Sequence, residues 1–270
     1  MKLKNIRIST LLMSILLSGI ILFNVACVVD PEDSGRDNDF TVGEEFDYSI
    51  DVNDQIGVAI DAINGPIDVV GVANSTKIEV RGVRKVSSDS DDDAREHLDD
   101  LEVHLYEKNR RVYLETEQPD NAKGRNYTVE YNLRIPSHLL LNIDNSNGDI
   151  EIEDMKNSVD VDLTNGKVEI EETVASLSVH LTNGTIDVAA ILPDNGEHEL
   201  ATTNGAISYK VPNGTSADFF ASVVNGNISV ENLEMTSSNV SSKSVTGKLG
   251  AGNGKIYLKT VNGNIHVEGE

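Results

Sequence analysis

The unit Asn-Gly-x-[Ile/Val]-x-φ, with φ apolar or Tyr, occurs eight times in this chain. The copies are NGPIDV (64–69), NGDIEI (147–152), NGKVEI (165–170), NGTIDV (183–188), NGAISY (204–209), NGNISV (225–230), NGKIYL (253–258) and NGNIHV (262–267). A degraded copy, TGKLGA, lies at 246–251. Gly148, Gly166 and Gly184 are 18 residues apart, whereas Gly184, Gly205, Gly226 and Gly247 are 21 apart. A repeat this short cannot bury an apolar face by itself, so it must stack on its neighbours.

Alternation extends the unit in both directions. Val159, Val161 and Leu163 precede Asn165, just as Leu177, Val179 and Leu181 precede Asn183; Val168 and Ile170, or Ile186 and Val188, follow. Residues two apart on a strand share a face, so each repeat carries two short strands with one buried face. The intervening Asp160, Asp162, Glu169 and Glu171 then face water. Asn and Gly tolerate positive φ, which makes Asn64-Gly65, Asn147-Gly148, Asn165-Gly166, Asn183-Gly184, Asn204-Gly205, Asn225-Gly226, Asn253-Gly254 and Asn262-Gly263 architectural turns. A single such pair reads as a hairpin. Recurrence at 18 and 21 residues favours an all-β, single-chain β-solenoid of stacked coils, with a meander of hairpins as the alternative. The change of period can be taken up by a corner loop such as VPNGTSAD (211–218).

Residues 87–135 depart from the pattern. Ser90 offers a helix N-cap with Asp93 three residues on, predicting a short helix near 91–100 with Ala94, Leu98 and Leu101 against the body. LEVHLYEKNRRVYLET reads as a hairpin turning near Lys108-Asn109, so a helix and hairpin insertion spans about residues 88–126. YTVEYNLRIP then gives a strand with Tyr127, Val129, Tyr131, Leu133 and Ile135 on one face, closed by Pro136.

The amino terminus carries Lys2, Lys4 and Arg7, then an apolar run from Leu11 to Ala26, the order of a secretory signal. Cys27, the single cysteine, follows at once and has no partner for an internal disulfide. Asn24, Val25, Ala26 and Cys27 resemble the bacterial lipoprotein signal, although Asn24 stands where that signal has an apolar residue. The resemblance implies diacylglycerol on Cys27, a signal peptide over 1–26 and a lipid-bilayer contact through Cys27. An uncleaved helical anchor and plain secretion are the alternatives. Residues 27–39 read as a flexible acidic tether and 40–270 as the folded domain, placing it at the bacterial envelope, on the outer membrane or cell surface rather than the cytoplasmic side. Val28 and Val29 follow the cysteine, so the aspartate linked to inner-membrane retention is missing.

Loss of the leader takes the formal charge from −23 to −26. Such a surface repels nucleic acid and anionic lipid, and suits cationic partners or weakly held divalent cations. The six histidines, His97, His104, His138, His180, His198 and His266, have no zinc-site spacing and are expected as isolated surface residues. Acid pairs such as Glu151/Glu153 alternate on wet strand faces, lacking the buried carboxyl that glycoside hydrolysis needs. SDSDDD (88–93) lacks the Gly and terminal Glu of an EF-hand loop and reads as a capped helix start. No cofactor or metal site and no catalytic residue is expected, and the chain reads as non-enzymatic.

The segments IGVAIDAINGPIDVV (56–70), the acidic helix with LEVHLY, YTVEYNLRIPSH and the Asn-Gly ladder from Asn147 together resemble the bacterial "putative adhesin" family, over roughly residues 45–270. The resemblance implies a β-solenoid-like fold of unknown function without cofactor. It points to an adhesion-like binding module recognising an unknown surface ligand or envelope protein. The alternative is a structural or signalling-associated component contacting another membrane protein; a carbohydrate-active enzyme is more remote.

Overall fold

The computed structural model describes residues 38–270, and the fold is all-β and solenoid-like. Cys27, the signal segment and all but the last two residues of the expected tether lie outside the described residues. Each coil has a strand before its Asn-Gly bend and another after it. The pairs are Gly57–Asn64 with Ile67–Val72, Leu140–Asn147 with Ile150–Glu153, Glu197–Asn204 with Ile207–Val211, Ala217–Asn225 with Ile228–Glu231, and Gly254–Asn262 with Ile265–Gly269. In Val159–Val174 and Leu177–Ile191 the strand runs through the bend without a break.

Coils pair in parallel, with each asparagine opposite the next: Asn64, Asn147, Asn165, Asn183, Asn204, Asn262, Asn225. The alternation explains the packing. Ile67, Ile150, Val168, Ile186, Ile207 and Ile265 form one inward column, each 0–1% exposed. Strands before and after the bend face each other across this core: the His198 ring bonds the Tyr209 hydroxyl from the opposite side.

The stacking order corrects the sequential reading in three places. The last coil, Gly254–Gly269, slots between the Asn204 and Asn225 coils, so Ala217–Glu231 is the terminal rung despite coming earlier in sequence. Gly247 is no rung: Ser244–Leu249 runs antiparallel to Ala217–Asn225 and closes that side. Asn253-Gly254 also stands outside the ladder, since Gly254 opens its strand opposite Ala217 with no positive φ. Every rung presents the same Asn-Gly edge, so repeat spacing alone does not specify which rung neighbours which.

The other end is capped. Ser90 receives the Asp93 amide at 3.2 Å at the start of helix Asp91–Glu96, and a 3-10 turn, Leu98–Asp100, follows. Ala94 and Leu101 are buried and Leu98 packs against the core. Hairpin strands Glu102–Lys108 and Arg111–Glu117 turn at Asn109 and Arg110, both at positive φ, and the second strand joins Gly57–Asn64 in parallel. On the opposite face Asn126–Pro136 joins Ile67–Val72, followed outward by antiparallel strands Lys77–Ser88 and Phe40–Asp51. Gly82 sits between Phe46 and Tyr131 in that register. A Cβ there would lie 2.3 Å from Phe46 Cζ, so glycine lets the two rings meet at 5.8 Å.

Candidate binding surface

The Asn-Gly column is an unbroken hydrogen-bonded ladder. Each asparagine Nδ2 donates to Oδ1 of the next: Asn147 to Asn64 at 2.7 Å, Asn165 to Asn147 at 2.8 Å, Asn183 to Asn165 at 2.9 Å, then Asn204 to Asn183, Asn262 to Asn204 and Asn225 to Asn262 at 2.8 Å. Asn64 ends the chain by donating to the Tyr127 carbonyl at 3.1 Å. The glycines beside them have φ between 123° and 156°. They are also the point of closest approach between rungs: a Cβ at Gly184 would lie 1.7 Å from the Gly166 oxygen, and one at Gly205 1.6 Å from the Gly184 oxygen. Stacking, as much as turning, requires glycine.

The outer face of the strands before the bend presents side chains in straight columns. Three residues before each asparagine the sequence supplies Asp61, Asp144, Asp162 and His180, and Glu115 of the cap hairpin extends the row beside Asp61. Further along the same row are Ala201, Lys259 and Ser222. Partial burial raises the Asp61 pKa, and the neighbouring charges of Asp144 and Glu115 raise it further. Beside the carboxylates lies an open depression of about 310 Å³, lined also by Ala59, Tyr113, Asn142 and Asp160. Tyr106 stacks on Tyr113 at 5.2 Å and 8°, and its hydroxyl donates to Glu115, which pushes the phenol up to about 12. The parallel column five residues before each asparagine ends in Tyr257 and Phe220, so along the stack the carboxylate row gives way to an aromatic pair beside Lys259 and Ser222. The face therefore joins a carboxylate-lined depression to an aromatic edge.

His198 corrects the expectation of surface histidines. It lies six residues before Asn204, an inward position shared with Leu177 and Ile256, and is fully buried. Its Nε2–H donates to the Ala175 carbonyl at 2.8 Å, leaving Nδ1 to accept from the Tyr209 hydroxyl at 2.7 Å. Burial drives its pKa down to about 4. The folded value is below the free imidazole's, so the unfolded chain takes up a proton first as pH falls. His198 therefore contributes its full stability above about pH 6.5 and loses about 3 kcal/mol of it by about pH 4. Urea unfolding at stepped pH should show this fall in the wild type, and His198→Gln should flatten that component. An unchanged slope in the variant would exclude the assignment.

The acidic run at 88–93 is engaged locally. Arg125 grips the Asp93 carboxylate with Nε and Nη2, both at 2.6 Å, and Ser88 adds a further bond, holding Asp93 well below the usual carboxylate range. Asp91 pairs with Arg95 at 3.0 Å. Among the described residues no group of three or more His, Cys, Asp or Glu side chains is arranged to hold a metal ion, and no helix is long and apolar enough to cross a membrane. The Tyr106–Tyr113 stack escaped the sequence reading; its signal was the alternation in HLYEKNRRVYL, which aligns the two tyrosines across the hairpin.

A family model described as Toastrack DUF4097 matches residues 58–268. Among solved structures, a "putative cell adhesion protein" from Clostridium sporogenes is similar at 14% identity and TM-score 0.45, over 84% of this chain and 100% of that one. A "putative adhesin" from Bacteroides fragilis is similar at 10% identity and TM-score 0.34, over 84% and 97%. A "putative lipid binding protein" from Parabacteroides distasonis is similar at 11% identity and TM-score 0.29, over 84% and 96%. Among curated proteins no relative matches.

Proposed function

We propose that this chain, which belongs to the Toastrack DUF4097 family, is a non-enzymatic, adhesin-like binding module held at the bacterial cell envelope by lipid on Cys27. The observation that carries the binding role is the continuous outer face, where stacking turns single exposed side chains into columns. A row of carboxylates beside stacked tyrosines selects cationic or hydroxyl-rich groups on a surface ligand, and loosely held cations screen the row when no ligand is bound. Crosslinking capture from intact cells tests it. Wild type should enrich a ligand or envelope protein that the triple variant Asp61→Asn, Asp144→Asn, Asp162→Asn loses. Equal capture by both would remove the face from the account.

The anchor reading rests on Cys27 directly after an apolar leader. Two acyl chains suffice for stable anchoring, whereas an acidic domain has no attraction of its own for an anionic bilayer. Cys27→Ser should abolish incorporation of a fatty-acid analogue and block normal processing, leaving an unlipidated precursor. Equal labelling of wild type and variant would contradict lipidation at this residue.

A further inference from the structure

The stack is capped at one end, whereas at the other the antiparallel arm covers Ala217–Ser222 and leaves the strand after the bend uncovered. Strand Ile228–Glu231 pairs with Ile265–Gly269 on one side, and no other described strand pairs with it. Its inward Ile228 stays half-buried, although its six counterparts three residues after the other ladder asparagines are 0–1% exposed, and Val230 is half-buried too. Val224 and Val240 nearby are 61% and 63% exposed, and Leu233 and Met235 are only partly covered. The carbonyl of Ser242 takes the first amide of this strand, Ile228 N–H, at 3.1 Å. An edge strand beside an apolar patch of this kind is a place for another strand to add.

Charge selects the occupant. Residues 38–216 carry 14 Lys or Arg against 36 Asp or Glu, whereas residues 217–270 carry four lysines against five acids. Two copies of so acidic a chain repel through their bodies, and this end carries the smaller net charge. A basic partner would be drawn to the acidic body instead. The end also carries both signs, Glu231 and Glu234 on the edge segment and, on the adjoining arm, Lys243, bonded to the Gly226 carbonyl, and Lys248, paired with Asp218, which suits a surface meeting itself about a two-fold axis. Phe40, which opens the first described strand, lies in the cap strand at the opposite pole.

We propose that a second copy of this chain docks on the open rung, edge to edge through Ile228–Glu231, forming a two-fold dimer. The proposal stands apart from the ligand and anchor readings above. It is tested by placing a photo-crosslinking amino acid at exposed Ser229 in the full-length chain, co-expressed in bacteria with a differently tagged copy. The expected product has twice the chain mass and carries both tags. The same probe at Ile191, which is 51% exposed on the body of the stack, should give none. Ile228→Lys should abolish the product. Val240→Glu, at an exposed site that spares the fold, should lower it at least tenfold with an unchanged circular dichroism spectrum. A crosslink to a different protein, or monomer alone under illumination, would overturn the proposal.

Discussion

Replacing Gly184 with alanine should destabilise the protein as much as hollowing out its core, although it adds a single methyl group. The backbone there has φ +138°, and the new Cβ would stand 1.7 Å from the Gly166 oxygen. Strain in a poorly populated backbone region costs about 1–3 kcal/mol. Forcing two rungs apart adds an overpacking cost of about 1–3 kcal/mol. The asparagine bonds on either side, Asn183 to Asn165 and Asn204 to Asn183, stretch with the same displacement. Gly214 supplies the comparison: its φ is +85°, yet nothing lies within 4 Å of the site a Cβ would occupy. Gly214→Ala therefore carries the strain without the collision. Urea denaturation should rank Gly184→Ala well below Gly214→Ala in stability. Equal losses would mean that turning, and not stacking, is what the column of glycines serves.

Ile186→Ala should cost about 2–5 kcal/mol, because Val168 and Ile207 stand directly beside it in the column and little can collapse into the space. The same change at Ile228 should cost markedly less. That side chain occupies the equivalent position in the terminal rung, where solvent already reaches it. The gradient between two chemically identical substitutions measures the stacking itself. A hairpin meander, with no common column, gives no reason for Ile228 to be the weaker site. Equal penalties at the two positions would count against the open end described above.

Most of the architecture is legible from period and alternation. The inward column from Val168 to Ile207 follows from counting residues past each Asn-Gly, and Ser90 announces its helix through the spacing to Asp93. Residue order misleads where the physics is degenerate. All seven ladder asparagines offer the same amide and the same backbone edge, so nothing local tells the Asn204 rung to accept Asn262 instead of Asn225. The antiparallel arm built from Thr236–Val240 and Ser244–Leu249 carries the chain back to fill the vacant slot. His198 misleads for another reason: its position is inward by the same count that places Leu177, but its residue type suggests water. Two neutral hydrogen bonds satisfy it in the core. Asn145 and Thr260 are also polar and inward, lying buried two residues before their ladder asparagines and donating to the Gly65 and Gly205 carbonyls, while Asn145 Oδ1 has no partner among the described residues. The acidic row is readable as exposed charge; that Glu115 joins it depends on a hairpin strand entering the main sheet.

The order of the rungs is the central structural claim, and paired cysteines test it most directly. Ser208 lies opposite His266, and His266 lies opposite Ser229, all on the outward face of the strands after the bend. Adjacent strands are about 4.8 Å apart, within reach of a disulfide, while two steps of about 10 Å are not. In a Cys27→Ser background, Ser208→Cys with His266→Cys should oxidise to an intramolecular disulfide. Ser208→Cys with Ser229→Cys should remain reduced, although those positions are nearer in sequence. Efficient closure of the 208–229 pair and failure of 208–266 would restore a simple sequential stack and contradict the fold described here.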